Sequence, residues 1–178
     1  MTIHDTHPFA EPPETREPGR RLRGRVTGTV SLWTAGEGGG RAGLTVSSWL
    51  VVAGERTRLL GLLDPDSDLA DAIEDTGRAV VQLLTWPDRD LAEAFAGAAP
   101  APGGLFAQAT FVDTAWGPRL ASSATWAGGR LESATSLGWS QQVVLVVEHL
   151  ELGDEDPTGA PLEHRRGRYR RPGGPEGR

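Results

Sequence analysis

Arg58-Leu59-Leu60-Gly61-Leu62-Leu63-Asp64-Pro65-Asp66-Ser67-Asp68-Leu69-Ala70-Asp71-Ala72-Ile73-Glu74-Asp75-Thr76-Gly77-Arg78-Ala79-Val80-Val81-Gln82-Leu83-Leu84 changes its hydrophobic period twice. Arg58 to Leu63 is an apolar run of strand length, the pattern of a strand covered on both faces. Beyond Asp64-Pro65 the period lengthens, and Leu69, Ile73 and the alanines at 70 and 72 share one face of a short helix. Asp66 or Ser67 caps its start and Gly77 stops it. Arg78 to Leu84 returns to a buried strand.

Upstream, Val26, Thr27, Thr29, Val30, Leu32, Trp33 and Thr34 supply β-formers, and Gly36-Glu37-Gly38-Gly39-Gly40 permits the backbone angles of a hairpin turn. A second strand is predicted from about Ala42 to Val52, with a turn at Gly54 to Thr57. Downstream, Pro87 opens a second short helix through Leu91 and Phe95 that stops at Gly97, and Ala98 to Gly104 is a loop. The remainder reads as short strands, Leu105 to Trp116, Leu120 to Trp126, Arg130 to Ala134 and Val143 to Leu152. Gly117-Pro118 and Gly128-Gly129 read as turns between them. Six or more strands with two short helices predict a mainly β fold, a closed barrel with short helices, rather than a Rossmann sheet. No Gly-x-Gly-x-x-Gly opens a helix.

The 178 residues fit one domain with tails. Residues 1–22, rich in Pro and poor in aliphatics, and residues 172–178 are expected to be disordered, leaving a domain over 23–171. No apolar stretch approaches the roughly 20 residues of a membrane span. The first residues lack the apolar block of a secretory signal, so a cytoplasmic address is expected. The chain has no Cys, which excludes disulfides and thiolate chemistry. All 18 basic residues are Arg, and they crowd the two ends. Between Val26 and Leu162 there are 18 Asp and Glu against 7 Arg, which argues against a nucleic-acid surface there.

Four strings carry a resemblance. They are Gly43-Leu44-Thr45-Val46-Ser47-Ser48; Thr76-Gly77-Arg78-Ala79-Val80-Val81-Gln82-Leu83-Leu84; Asp90-Leu91-Ala92-Glu93-Ala94-Phe95-Ala96-Gly97; and Arg166-Gly167-Arg168-Tyr169-Arg170. In this order, over about Val26 to Arg170, the chain resembles the flavin reductase-like family of FMN-binding split-barrel proteins. The resemblance implies a homodimeric split barrel that binds FMN, with FAD as the alternative, at the subunit interface. It also implies NADH or NADPH as reductant and delivery of reduced flavin to a monooxygenase partner.

By the same resemblance, Thr45, Val46, Ser47 and Ser48 face the isoalloxazine and ribityl chain, with Trp49 as the ring that covers it. Ser67 and the helix start after it serve the phosphate, joined by Arg168 or Arg170. This chain departs from the family in the loop Asp64-Pro65-Asp66-Ser67-Asp68, whose three carboxylates repel a phosphate. It departs again where many reductases carry a His near the nicotinamide, since Gln141 or Gln142 stands there and Gln cannot titrate. Both departures keep open a rival reading, a catalytically silent split-barrel dimer that binds flavin or is structural. No residue is assigned to catalysis. Trp116, Trp126 and Trp139 are expected in the core or a dimer interface. His149 and His164 have no neighbour at ligand spacing, and no metal site is expected.

Overall fold

Ser67 caps the first long helix with its own hydroxyl, which accepts from the Ala70 amide at 3.3 Å while donating to the Asp64 carbonyl at 2.6 Å. Gly77 ends that helix in the left-handed conformation at φ 67°. The computed structural model that contains it describes residues 18–153 and 160–173. In chain order these form α1 (Pro18–Arg23), β1 (Gly28–Thr29), β2 (Ser31–Ala35), β3 (Ala42–Val46), β4 (Trp49–Val52), β5 (Arg58–Leu63), α2 (Asp68–Thr76) and β6 (Arg78–Leu83). They continue with α3 (Arg89–Phe95), β7 (Phe111–Thr114), β8 (Gly117–Leu120), β9 (Trp126–Leu137), β10 (Ser140–Glu151), β11 (Glu163–Arg165) and β12 (Arg168–Arg170). Most of the tail expected over residues 1–22 and part of that over 172–178 lie outside the described residues, while 18–22 are helical.

The main sheet has seven strands in the order β3-β2-β6-β9-β10-β5-β4, and every pair is antiparallel. Its two edge strands, β3 and β4, are consecutive in the chain and separated only by Ser47 and Ser48. The sequence reading of one strand from Ala42 to Val52 is therefore corrected in an informative way. One ribbon leaves one edge of the sheet and joins the other, which forces the sheet to curl into a barrel. β3 touches β5 across the closure, and the Leu62 amide donates to the Ser48 carbonyl at 2.9 Å.

Trp33, fully buried, fills the barrel interior with Val46, Leu59, Leu63, Ala127, Val143 and Leu145, and Leu69 and Ile73 of α2 pack into the same cluster. A second cluster outside the barrel joins Val30, Leu32, Leu84, Leu120 and Leu162 to Ala92 and Phe95 of α3. The buried Gln82 joins the layers, since its side-chain oxygen accepts from the Leu120 amide at 2.7 Å. β1, β11 and β12 make a separate three-stranded sheet in which residues 28–29 meet residues 163–170.

Further sequence readings change, and the strand expected from Leu120 to Trp126 is a turn segment between the end of β8 and the start of β9. Gly128 and Gly129 lie within β9, not in a turn. A Cβ on Gly128 would fall 2.3 Å from the Trp116 ring, so glycine is there to admit an indole against the strand. Gly117-Pro118 begins β8, and the turn is Ala115-Trp116. Leu105 to Trp116 is a short 3-10 turn and then β7, not one strand.

Candidate functional site

The ribbon crossing at Ser47-Ser48 is where the barrel's hydrogen-bonding regularity breaks, with Thr45 and Val46 on one side of it and Trp49 on the other. Side chains alternate along a strand. Val46 points into the barrel core and is almost fully buried, so its β3 neighbour Thr45 points outward. The Thr45 hydroxyl donates to the Ala92 carbonyl of α3 at 2.8 Å. Trp49 packs against the interior cluster, and its indole N–H donates to the Thr29 carbonyl at 2.8 Å. Ser48 Oγ accepts from Arg23 Nη2 at 2.9 Å. Ser47 packs its backbone against Gly28, where an added Cβ would fall 2.3 Å from the Ser47 carbonyl oxygen, so Gly28 permits the close passage of β1.

Through the Leu62–Ser48 bond the crossing adjoins the end of β5, where Asp64-Pro65-Asp66-Ser67 begins. Ser67 is thus near the same barrel end, but its hydroxyl is engaged in the cap and in the Asp64 bond. The Asp64 carboxylate accepts from the Asp66 amide at 3.0 Å, an ordinary turn contact.

Register separates the two glutamines. Gln141 pairs with the buried Leu63 and Gln142 with the partly exposed Leu62. Gln141 Nε2 donates to Glu74 of α2 at 2.6 Å, while its Oε1 is buried without a partner. Gln142 lies on the opposite, outward face beside Leu62, and is therefore the glutamine on the Ser48 side. Around the hairpin turn before β10, the exposed Trp139 ring stacks under the Arg20 guanidinium at 4.3 Å, so α1 spans from this hairpin to Ser48.

Arg168 is exposed and Arg170 partly so, both on β12 of the terminal sheet. β12 pairs with β11, β11 with β1, and β1 runs beside Ser47. Arg168 and Arg170 share one face of β12, while Tyr169 and its cross-strand partner His164 share the other, their rings 5.5 Å apart. Burial, aided by the Glu93 charge, pushes the Tyr169 phenol up to about 12. Burial, and then the Arg23 charge, lowers His164 from its ordinary value.

Arg23 and Gln142 are thus the residues that the geometry adds or singles out at the crossing. Arg23 gave no usable signal in the sequence, where it reads as one of many arginines bordering a proline-rich tail. Its role depends on a short helix folding back over the barrel end.

Other features lie apart. Between Trp116 and Trp126 the His149 ring stacks, at 5.3 and 4.4 Å. An open groove along Glu55, Arg56 and Thr57 and residues 146–150 flanks the start of β5, at the far end of the barrel from Ser48. Among the described residues no group of three or more His, Asp or Glu could hold a metal ion, and no helix is long and apolar enough to cross a membrane.

Comparison with known proteins places this geometry. The flavin reductase like domain family matches residues 23–173. No curated protein matches the chain by sequence. Solved structures with the same fold include a flavin reductase domain protein from an Arthrobacter species, 22% identical over 89% of this chain and 96% of that one, with a TM-score of 0.76. Another is the homolog of nitrilotriacetate monooxygenase component B from Mycobacterium thermoresistibile, 23% identical, covering 85% and 83%, with a TM-score of 0.75. A third is the NADH:FAD oxidoreductase of Streptomyces globisporus, 20% identical, covering 90% and 95%, with a TM-score of 0.75. The family match over most of the chain, on a barrel closed by the Ser47-Ser48 ribbon, makes this protein a member of the flavin reductase-like family.

Proposed function

We propose that this protein is a flavin reductase that binds FMN at the Ser47-Ser48 crossing, accepts electrons from NADH or NADPH, and passes reduced flavin to a monooxygenase. The observation that carries the reading is the break between β3 and β4, where the chain changes edges and Ser47 and Ser48 fall outside both ladders. The family match and the name of the Mycobacterium relative, a monooxygenase component, support it. The Streptomyces relative is named for NADH and FAD, so FAD is the alternative flavin.

The residues present fit a flavin in kind. Among the described residues the side chains of Ser47 and Gln142 make no hydrogen bond and can meet the polar edge of a ring. Leu62 and the exposed Leu50 supply apolar surface for its faces. Thr45 and Trp49, whose polar atoms are already bonded within the chain, hold the ribbon in place, and Val46 anchors it from inside. The Ser67 hydroxyl is engaged in the helix cap and with the Asp64 carbonyl and has no hydrogen left for a phosphate, whereas Arg168 and Arg170 lend positive charge. When bound, the flavin supplies the two-electron chemistry. The protein's part is to orient it, exclude water from one side and leave the other open to the nicotinamide.

The seat is completed by a second copy. Leu50, Val51 and Val52 of β4 are 64%, 60% and 45% exposed in a single chain, a contiguous apolar edge that soluble monomers rarely tolerate. A homodimer through this edge would cover it and wall in the crossing.

The test is titration of the purified protein with FMN, followed by anaerobic addition of NADH or NADPH. The expected result is bound flavin whose visible absorbance bleaches. Bound flavin that neither nicotinamide bleaches would favour the silent flavin-binding dimer, the reading supported by Gln142 where a His is common and by the acidic loop. No binding would refute both.

A further inference from the structure

The loop that follows β5 offers a phosphate little. Asp64, Asp66 and Asp68 surround Ser67, whose hydroxyl is already donated to the Asp64 carbonyl. Yet one cation touches the crossing itself, since Arg23 donates from Nη2 to Ser48 Oγ at 2.9 Å. Its guanidinium is exposed, and a planar fork with five N–H groups can hold Ser48 and still present donors to a phosphate.

Arg23 is not isolated. The Gly24 carbonyl accepts from the Arg166 amide at 2.9 Å, Arg165 Nε donates to the Arg25 carbonyl at 3.2 Å, and Gly28 pairs with His164. These bonds bring residues 18–29 and 160–173 into one surface. Residues 18–29 and 160–173 carry nine arginines against a single carboxylate, Glu163, on a protein whose net charge is -6. Such a concentration of one sign on one surface raises the local concentration of anions. Burial, and secondarily the Arg23 charge, lowers His164 from its ordinary value.

We propose that Arg23 is the phosphate anchor of the flavin site, so that the anionic end of the flavin lies toward the terminal arginine surface and away from the Asp64–Asp68 loop. The inference rests on the flavin-binding reading above and adds the direction in which the flavin lies. A guanidinium tied to Ser48 takes over the role that the acidic loop cannot perform. The ligand chemistry it selects is a phosphorylated flavin over an unphosphorylated one.

The test compares FMN with riboflavin, which has the same ring and no phosphate, by quenching of flavin fluorescence. The intact protein is expected to prefer FMN. Arg23→Gln should weaken FMN about tenfold, the scale of one charge-assisted hydrogen bond, and leave riboflavin unchanged. Arg23→Lys, which keeps the charge without the fork, should fall between the two, and Asp66→Asn should leave the preference as it is. An FMN preference that survives Arg23→Gln overturns the proposal. So does an equal loss of FMN and riboflavin, which would make Arg23 a mere support for Ser48. A large gain of FMN affinity in Asp66→Asn would return the phosphate to the loop. If the intact protein bound neither flavin, the flavin-binding reading would itself fall; FMN binding with no effect of Arg23 would remove this inference alone.

Discussion

β3 and β4 are two arms of one ribbon, two residues apart, with opposite surroundings. β3 is packed on by α2 and α3, its Val46 is in the barrel core, and a Cβ on Gly43 would meet the Phe95 ring at 2.6 Å. β4 follows in the same direction, pairs with β5 on one side, and carries Leu50, Val51 and Val52 into the open. Composition does not say which arm is covered, since the more apolar β4 is the more exposed of the two. What distinguishes them is the edge each occupies. β3's edge is closed over by the chain's own helices, whereas β4's apolar edge stays open, and the two residues between them fall outside both ladders.

The same substitution on the two arms should therefore fail in two different ways. Val46→Asp puts an unpaired carboxylate into the barrel core, at a cost of roughly 3 to 5 kcal/mol, and denaturant melts should show a protein largely unfolded or close to it. Leu50→Asp should leave each chain folded, lowering the melt only by the stabilisation that dimerisation supplies, and convert a dimer to a monomer in sedimentation. A Leu50→Asp protein that stays dimeric would move the interface away from β4. Thr45→Val sharpens the contrast further. Losing the bond to the Ala92 carbonyl should cost about 1 kcal/mol of stability, with FMN affinity little changed, because that hydroxyl fastens β3 to α3. A large loss of FMN affinity would instead make Thr45 a flavin ligand.

The smallest effect is on pH dependence. His164 titrates below its ordinary value in the fold, so the unfolded chain binds its proton first as pH falls. The stability it protects is whole above the ordinary His range and is lost as pH drops toward the lowered folded value. A His164→Gln variant should show a flatter acid limb over that window, measured as melting temperature against pH. Removing the Arg23 charge should flatten it in part, since that charge is the second cause of the shift.

Much of the fold was legible because the signals were local. β5, α2 and Gly77 follow from a change of period and two caps. The closure was not, because Ala42 to Val52 has the composition of one strand and nothing local says that Ser47-Ser48 passes between sheet edges. Gly128-Gly129 misled for a related reason, as glycine marks a turn locally and a close ring packing only in three dimensions. At the proposed site, Ser47 and Ser48 stand out in the sequence through the family resemblance. Arg23 depended on α1 folding back over the barrel, and the choice of Gln142 over Gln141 depended on strand register.

The most direct test of the account is amide hydrogen exchange across Gly43 to Val52, with and without FMN. The account predicts that FMN slows exchange in the peptide spanning Ser47 to Trp49 while leaving Gly43 to Val46 unchanged, since β3 is already locked by its helices. Tight FMN binding with no change at Ser47 to Trp49 would contradict it and place the flavin elsewhere.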